Sequence, residues 1–256
     1  MPHAARSDLG RHPSFPIDDG PLYRPIAVVL AVLVIASGIF LLNPGLDVAT
    51  SRVFYEPGKG FALGQTAPIV SIRNAGIALT WIVCIGLAVL ALLWRLSPAA
   101  LDRWPSPRPW VDWLFVTAAM ALGPGMLVNL IIKPVWGRAR PRQIAEFGGQ
   151  MNFTPAWVVT NQCSWGCSFV SGEAAASAFL FVFAFVVPAR WRPLAFWAAL
   201  AVTLVISFVR IAAGGHFLSD TVIASLLIVL LLVILHAQLY HAALLGPLTR
   251  WWPVQK

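Results

Sequence analysis

The last quarter of the chain contains a histidine whose neighbours suit it to nucleophilic chemistry. His216 follows Gly214 and Gly215, which permit a tight turn, and Asp220 lies four residues further on, one helical turn away. A carboxylate at this spacing can hydrogen-bond one ring nitrogen, which fixes the tautomer and leaves the other nitrogen free to react. Because histidine is an accepted covalent nucleophile, this pair predicts a reactive imidazole.

Cations and one helix start supply what a phosphate group needs. Lys133 and Arg140 each precede a proline, Pro134 and Pro141, and the short segment between these prolines cannot remain regular helix and can turn both cations toward one point. Arg210 adds a third cation, and guanidinium and ammonium groups bind phosphate oxygens. Ser171 and Gly172 begin an apolar segment whose first amides can bind an anion. Together with the imidazole, these groups predict phosphoryl transfer, which demands mostly positioning and charge stabilisation.

The sequence predicts neither a metal nor a cofactor at this site. Glu173, His216 and Asp220 are possible metal ligands, but the lysine and arginine residues around them oppose a cation. The sequence contains no Walker-type glycine loop and no dinucleotide fingerprint. The net charge of +8 is not gathered in a long basic run, and no nucleic-acid motif is recognisable, so nucleic acid is not an expected partner.

The composition predicts that membrane helices position these residues. Hydrophobic residues make up 59% of the chain and charged residues 11%, less than half the share of about 25% in soluble domains. The same figures exclude a disordered chain, and three cysteines exclude a disulfide-rich scaffold. We therefore expect an all-α integral membrane protein with six transmembrane helices. The expected spans, of which the third is interrupted at Gly123-Pro124-Gly125, are Ile26–Leu42, Ala75–Trp94, Val111–Ile132, Phe169–Val187, Leu194–Val209 with a continuation to Ala213, and Phe217–Tyr240.

The alternation of spans places the polar residues on one side of the membrane. The third and fifth spans end where the fourth and sixth begin, because consecutive spans run in opposite directions. Charges at span ends are costly unless they are paired or hydrated, so they are functional candidates. The residues that share this face are Lys133, Arg140, Ser171, Glu173, Arg210, His216 and Asp220.

The distribution of lysine and arginine gives the orientation. With the amino terminus inside, ten basic residues lie on the inner side and eight on the outer side, or five once Lys133, Arg140 and Arg210 are set aside as functional. We expect cytoplasmic termini and a first span that is retained as an anchor. The expected organisation is a cytoplasmic tail at 1–24, a six-helix membrane phosphatase domain at 25–242, and a cytoplasmic tail at 243–256.

The same residues resemble the three motifs of the type 2 phosphatidic acid phosphatase superfamily, which also includes vanadium haloperoxidases. The first family motif is Lys, six residues, Arg-Pro, and here it is Lys133 with Arg140-Pro141. The second is Pro-Ser-Gly-His, and here it is Val170-Ser171-Gly172-Glu173. The third is Ser-Arg, five residues, His, three residues, Asp, and here it is Val209-Arg210, His216 and Asp220. The match covers residues 133–220, and the first and third motifs together are specific.

The resemblance implies more than the residues alone. Family members dephosphorylate lipid phosphates without metal, through a phosphohistidine. The resemblance implies that His216 is the nucleophile and Asp220 its orienting partner. The residues implied to bind phosphate are Lys133, Arg140, Ser171, Gly172 and Arg210. In bacterial membrane members the site typically faces the periplasm, which implies a multi-pass protein of the bacterial inner membrane.

Two of the departures from the family pattern matter. Val209 replaces the usual serine, a minor loss of a polar contact. Glu173 replaces the histidine that protonates the leaving oxygen. One hypothesis is that Glu173 still acts as the acid or orients water, which a carboxyl group can do as an acid only if its pKa is raised. The other is that Glu173 has a structural role, such as pairing with an arginine, and the leaving group departs unassisted.

The sequence therefore predicts a membrane-bound lipid phosphatase, a phosphoric monoester hydrolase or lipid pyrophosphatase, with a membrane lipid phosphate as substrate. Lipid A, undecaprenyl pyrophosphate, phosphatidylglycerol phosphate and phosphatidic acid all remain open, although the aromatic and amide residues of segment 143–168 favour a glycolipid such as lipid A. The alternatives are a lipid phosphotransferase and a non-catalytic anion-binding protein or transporter. The oligomeric state is not predicted.

Three further features near the motifs have open interpretations. Cys163 and Cys167 are a disulfide, which a periplasmic location permits, free thiols or ligands of a zinc ion. Arg138 and Arg142 either contact a second phosphate or a headgroup, or they lie at the membrane interface. Segment 143–168 is either a lid or headgroup-recognition loop, or an interfacial loop without such contacts.

Overall fold

The computed structural model describes residues 23–96, 109–164 and 166–241, and this part of the chain forms helices and no β-strand. The expected tails at 1–24 and 243–256 lie almost wholly outside these residues. The helices are α1 (Tyr23–Leu42), α2 (Gly45–Arg52), α3 (Ala67–Leu96), α4 (Pro109–Met120), a π-helix (Ala121–Ile132), α5 (Lys133–Trp136), α6 (Gly172–Ala178), α7 (Phe183–Val186), α8 (Arg192–Ala212) and α9 (Leu218–His241).

Within the described residues, five helical segments are long and apolar enough to cross a membrane. They are Arg24–Leu42, Ala67–Leu93, Pro109–Gln143, Ala189–Ala212 and Leu218–Tyr240. The expected fourth span is shorter than the sequence predicts, because its helix begins at Gly172 rather than Phe169. Segments of seven, four and four residues reach from there to Val186 and span roughly 25 Å, against a bilayer core of about 30 Å.

The third expected span is continuous, so the interruption expected at Gly123-Pro124-Gly125 is wrong. α4 passes directly into the π-helix, which contains Pro124 and leads into α5. Proline disturbs the ladder of backbone hydrogen bonds because it has no amide proton. The side-chain amide of Asn129 donates to the Pro124 carbonyl oxygen over 2.6 Å and satisfies an acceptor there. The helix then ends at Gly137, whose φ of 55° favours glycine.

α9 lies at the centre of the bundle, against α1, α4 and α6. Its residues Ile223, Ile228 and Leu232 are completely buried. The outer surfaces of α1, α3 and α8 carry large exposed apolar side chains, such as Ile82 and Leu204. Contiguous apolar surface of this kind is rare on soluble proteins and suits contact with lipid. Together with the five long apolar helices, this surface is typical of a multi-pass membrane protein.

The segments between the long helices gather at one end of the bundle. Phe61, which follows α2, packs with Phe147 and with Phe217 of the α8–α9 turn in a small apolar cluster. Gly214 in that turn has a φ of 57°, and a Cβ there would lie 2.4 Å from the Phe61 ring. Glycine is therefore required where the turn meets the ring. This packing brings the ends of α5, α6, α8 and α9 together, as the alternation of spans predicts.

Candidate active site

His216 lies in the turn between α8 and α9 and is only 2% exposed. Its Nδ1 lies 2.8 Å from the backbone carbonyl oxygen of Ser168. Because a carbonyl can only accept, Nδ1 carries the proton and Nε2 keeps its lone pair. Burial, with the nearby cations Arg210 and Lys133, lowers the pKa of His216 to about 3 against the opposing effect of Asp220. The imidazole is therefore neutral near pH 7.

Asp220 does not make the direct hydrogen bond to His216 that the sequence predicts. Its Oδ2 lies 3.7 Å from Nδ1 of His216, beyond hydrogen-bond distance. That oxygen instead accepts from Ser168 Oγ over 2.5 Å and from the Phe217 amide over 2.8 Å. Ser168, in the segment before α6, contacts both side chains, His216 through its carbonyl oxygen and Asp220 through its hydroxyl. Asp220 thus holds the residue that orients the imidazole, as well as the turn that carries it.

A buried charge network lies behind His216. Arg138 donates from Nη1 to Asp220 Oδ1 over 2.6 Å and from Nη2 to Asp47 Oδ2 over 2.8 Å. Asp47 also accepts from the Ser219 amide and hydroxyl, over 2.8 and 2.6 Å. Burial and the nearby Asp220 raise the pKa of Asp47, against the opposing effect of Arg138. All three charged side chains are almost inaccessible to solvent, so their mutual pairing is what makes their burial possible.

Arg138 and Arg140 point to opposite sides of the first-motif segment. Arg138 is completely buried in the network. It therefore cannot contact a phosphate or headgroup or lie at the membrane interface, so both of its predicted roles are wrong. Arg140 has the extended backbone angles φ −83° and ψ 157°, and alternate residues of extended backbone face opposite sides. Its Nε donates to the Gly166 carbonyl oxygen over 2.9 Å, on the open side of the segment.

The other cations lie against glycines. A Cβ on Gly172 would come within 3.0 Å of Lys133 Nζ, so this ammonium lies directly over the start of α6. A Cβ on Gly215 would come within 2.6 Å of Arg210 Nη2. The absent side chains leave room for both cations at the site. Ser171 is the N-cap of α6, where its Oγ accepts from the Ala174 amide over 3.2 Å.

Glu173 is flanked by two guanidinium groups. Its Oε1 lies 3.4 Å from Arg73 Nε, and its Oε2 lies 3.5 Å from Arg210 Nε. These contacts are those of the second hypothesis for Glu173, pairing with an arginine. Arg73 is a partner that the sequence did not single out, because α3 was expected to begin at Ala75. Pro68, at the second position of α3, is the signal that could have marked the earlier start.

A disulfide loop supports the first-motif segment. Cys163 and Cys167 are bonded, with their Cα atoms 5.5 Å apart, which settles the alternative between disulfide and free thiols in this structure. The backbone amides of Thr160, Cys163 and Ser168 donate to the carbonyl oxygens of Trp136, Gly137 and Arg138, over 3.0, 2.9 and 2.8 Å. The loop thus fixes the backbone between Lys133 and Arg140, and its Gly166 carbonyl accepts from Arg140.

Two cavities open beside these residues. The larger, of about 540 Å³, extends from Lys133, Gly172 and Glu173 into the bundle along apolar residues of α3, the π-helix and α8. The smaller, of about 370 Å³, is lined by Arg73, Arg140, Arg142 and Arg210 with Phe61 and Phe147. No group of three or more His, Cys, Asp or Glu residues in the described ranges could hold a metal ion. The site therefore combines a neutral imidazole with an excess of cations, and an apolar cavity opens beside them.

Comparison with known proteins identifies the family. Residues 106–243, more than half of the chain, match the model of the PAP2 superfamily. The chain is 28% identical over 220 residues to the lipid A 4'-phosphatase of Francisella tularensis subsp. novicida, covering 84% of this chain and 96% of the relative. It is also 28% identical over 199 residues to the lipid A 4'-phosphatase of Rhizobium leguminosarum, covering 72% and 83%.

Among solved structures, the chain is similar to a transmembrane PAP2-type phosphatidylglycerolphosphate phosphatase from Bacillus subtilis. The identity is 16%, the TM-score is 0.47, and the match covers 91% of this chain and all of the other. That likeness is too weak to inform the geometry of the site. The family model, by contrast, spans all three motifs and the helices that carry them, and the chain belongs to the PAP2 superfamily.

Proposed function

We propose that this membrane lipid phosphatase removes a phosphate monoester from lipid A, through a phosphohistidine at His216. The main observation in support of this reaction is the neutral imidazole of His216. Its Nδ1 donates to the Ser168 carbonyl, and the cations Arg210 and Lys133 lie nearby. The substrate follows from the two relatives that cover most of the chain, both of which are lipid A 4'-phosphatases.

In the first step, Nε2 of His216 attacks phosphorus and the bond from phosphorus to the sugar oxygen breaks. Lys133, Arg140 and Arg210 bind the phosphate oxygens, with the amides that begin at Gly172. These cations offset the charge that develops on the transferred group, which is the main requirement of phosphoryl transfer. The leaving oxygen takes a proton from water or from an acid at the site.

In the second step, water attacks the phosphorus of the phosphohistidine, the bond between phosphorus and nitrogen breaks, and inorganic phosphate leaves. In the phosphohistidine the ring nitrogen is phosphorylated while Nδ1 keeps its proton, so the imidazole ring becomes more positive. Among the described residues, the network behind it pairs two carboxylates, Asp47 and Asp220, with the single guanidinium of Arg138. The remaining negative charge favours the more positive ring, so the network stabilises the intermediate.

For Glu173 we favour the pairing role over the acid role. An ion pair is made by the charged carboxylate, whereas a general acid must carry a proton. Glu173 lies between Arg73 and Arg210, and its two oxygens each face one of them. We infer that Glu173 holds Arg210 in place for the phosphate.

The apolar cavity suits the acyl chains of a lipid. It begins at Lys133 and Glu173, where the phosphate is expected, and continues between α3 and the π-helix along Trp81, Val83 and Cys84. A headgroup at the helix ends with chains inside the bundle satisfies both parts of such a substrate. This arrangement distinguishes a lipid from a soluble phosphate ester.

We propose the membrane arrangement that the sequence predicts. Gly172–Val186 is the fourth of the six spans, and we infer that its short length leaves Ser171 and Gly172 near the boundary between the hydrocarbon core and the headgroup layer. Both tails, 1–24 and 243–256, are cytoplasmic and flank the phosphatase domain at 25–242. The active site then faces the periplasm, where the Cys163–Cys167 disulfide is stable.

The test is phosphate release by the detergent-purified full chain from lipid A, undecaprenyl pyrophosphate, phosphatidylglycerol phosphate and phosphatidic acid, with EDTA present. His216→Ala is the inactive comparison, and Arg52→Gln, which removes an exposed cation of α2, is the control for purification and folding. We expect release from lipid A by the wild type and Arg52→Gln only, and mass spectrometry should find the 4'-phosphate missing. Turnover of another lipid alone would overturn the substrate, and activity in His216→Ala would overturn the mechanism. Transfer of phosphate to an added acceptor would indicate a phosphotransferase.

A further inference from the structure

We propose that the arginine-lined cavity binds a second anionic group of the substrate headgroup, a phosphate or a carboxylate, and that Arg73 and Arg142 recognise it. This inference rests on the proposed lipid phosphatase function, and it deepens that function by specifying a headgroup with two anionic groups.

The cavity is adjacent to the reacting group but separate from it. Its volume is about 370 Å³, and neither His216 nor Gly172 is among the residues that line it. Arg140 and Arg210, which are expected to hold the scissile phosphate, are among the residues that line it. Arg73 and Arg142 also line it, so an anion held by these two arginines is bound beside the scissile phosphate and not at the nucleophile.

The charges of the cavity exceed what one phosphate can balance. Four arginines line it, and Glu173 is the carboxylate that contacts two of them, Arg73 and Arg210. Within the described residues, no carboxylate lies within 4.0 Å of Arg140 or Arg142. A net excess of three positive charges remains. A phosphate monoester carries about −1.5 to −2 near pH 7, so a second anion is needed to complete the compensation.

The position of Arg142 is fixed by backbone contacts rather than by a partner acid. Its amide donates to the Gly214 carbonyl oxygen over 3.2 Å, in the turn that precedes His216. Arg140 and Gln143 close the local turn, since the Arg140 amide donates to the Gln143 side chain over 2.9 Å. The guanidinium of Arg142 is exposed and faces the cavity, with Phe61 and Phe147 as apolar walls. Low-polarity walls strengthen the attraction of a bound anion.

The test measures binding, so that it does not depend on turnover. The probes are three synthetic disaccharide lipids with identical acyl chains, which carry a 4'-phosphate alone, 4'- and 1-phosphates, or a 4'-phosphate and an acidic sugar. Their dissociation constants are measured with the full-length His216→Ala protein, alone and combined with Arg142→Gln, Arg142→Lys or the control Arg52→Gln. Thermal unfolding of each variant checks the fold, and Arg73→Gln is a second variant should Arg142→Gln fail to fold.

We expect at least one doubly anionic lipid to bind about tenfold more tightly than the singly anionic lipid. Arg142→Gln should remove most of that preference, Arg142→Lys should restore part of it, and Arg52→Gln should keep it. No preference in the parent protein, or an equal loss for all three lipids in Arg142→Gln, would overturn the proposal. Inorganic phosphate is also added as a competitor of lipid binding. If Arg142→Gln weakens that competition and leaves the preference for doubly anionic lipids intact, the cavity binds free phosphate and not the headgroup, and the proposal is overturned. A wild type that binds with this preference but releases no phosphate would overturn the proposed function alone.

Discussion

The charged side chains on the two sides of His216 differ in whether they have partners of opposite charge. Behind the imidazole, Arg138 is completely buried between Asp47 and Asp220, and every charge has a partner within 2.8 Å. In front of it, Arg140 and Arg142 have no carboxylate within 4.0 Å among the described residues. The paired Arg138 therefore stabilises the fold, whereas Arg140 and Arg142 are available to bind a ligand.

This difference has an energetic consequence. Removing one member of a buried ion pair leaves an uncompensated charge and strongly destabilises a protein. Removing a cation that awaits a ligand leaves no such charge behind, so the loss falls on binding and catalysis. Changes on the two sides should thus separate in their effect on stability and on turnover.

The largest effect is expected behind the imidazole. Arg138→Gln leaves Asp47 and Asp220 without their shared countercharge and should lower the free energy of unfolding by about 3–5 kcal/mol. For a domain of this size that corresponds to a fall in Tm of roughly 10 °C. Thermal unfolding in detergent measures it, with Arg52→Gln as the control that removes an exposed arginine. Equal Tm values for the two variants would contradict a structural role for Arg138.

In front of the imidazole, Arg140→Gln should reduce kcat/KM roughly 10- to 100-fold, because a charge-assisted hydrogen bond to phosphate contributes about 1.5–3 kcal/mol. Its Tm should stay within about 2 °C of the wild type, since no carboxylate loses a partner. Steady-state kinetics and thermal unfolding of the same preparation give both numbers. A large fall in Tm would remove the distinction between the two sides.

The buried imidazole should make stability depend on pH. The pKa of His216 is about 3 in the folded chain and about 6.5 when unfolded, so between these values the unfolded chain binds a proton that the folded chain does not. Stability therefore falls as the pH drops from 6.5 toward 3. Between pH 7 and 4.5 we expect the wild type to lose about 5 °C more in Tm than His216→Asn, which lacks the titrating group. Titration of Asp47 changes the stability of both proteins alike, so it cancels in the difference between their Tm changes. Parallel curves would show that His216 is not held neutral.

The smallest effect is expected at Glu173, where the two sides meet through Arg210. Glu173→Gln keeps the shape and loses the ion pairs to Arg73 and Arg210, each of which lies 3.4–3.5 Å away. We expect kcat/KM to fall less than tenfold, with the shape of its pH profile unchanged. Loss of the alkaline limb of that profile would instead identify Glu173 as the general acid.

Sequence reasoning could predict the front of the site better than its back. Lys133, Arg140, Arg210 and His216 were found because charges at span ends are costly and because the direction of consecutive helices alternates. The structure brings them to one end of the bundle. The all-helical architecture could be predicted from the apolar composition, because lipid-exposed segments satisfy their backbone hydrogen bonds as helices.

The back of the site depends on contacts that no spacing reveals. Asp47 is a single acid in a short helix, and it meets Ser219 across 172 positions of sequence. Ser168 acts through its backbone carbonyl, which is independent of residue type. Arg138 is buried and its near neighbour Arg140 is half-buried on the opposite side, because the backbone between them is extended and is held by the disulfide loop. Tertiary packing determines each of these.

The most direct test of the central claim is to trap the phosphoenzyme. Wild type, Arg52→Gln and His216→Asn are mixed with lipid A carrying a radioactive 4'-phosphate and quenched within one turnover, and the site of labelling is mapped by mass spectrometry. We expect a label on His216 that is stable to alkali and lost in acid, as a bond between phosphorus and nitrogen is, and no label in His216→Asn. Turnover by the wild type without labelled protein, or an equal label in His216→Asn, would contradict nucleophilic attack by His216.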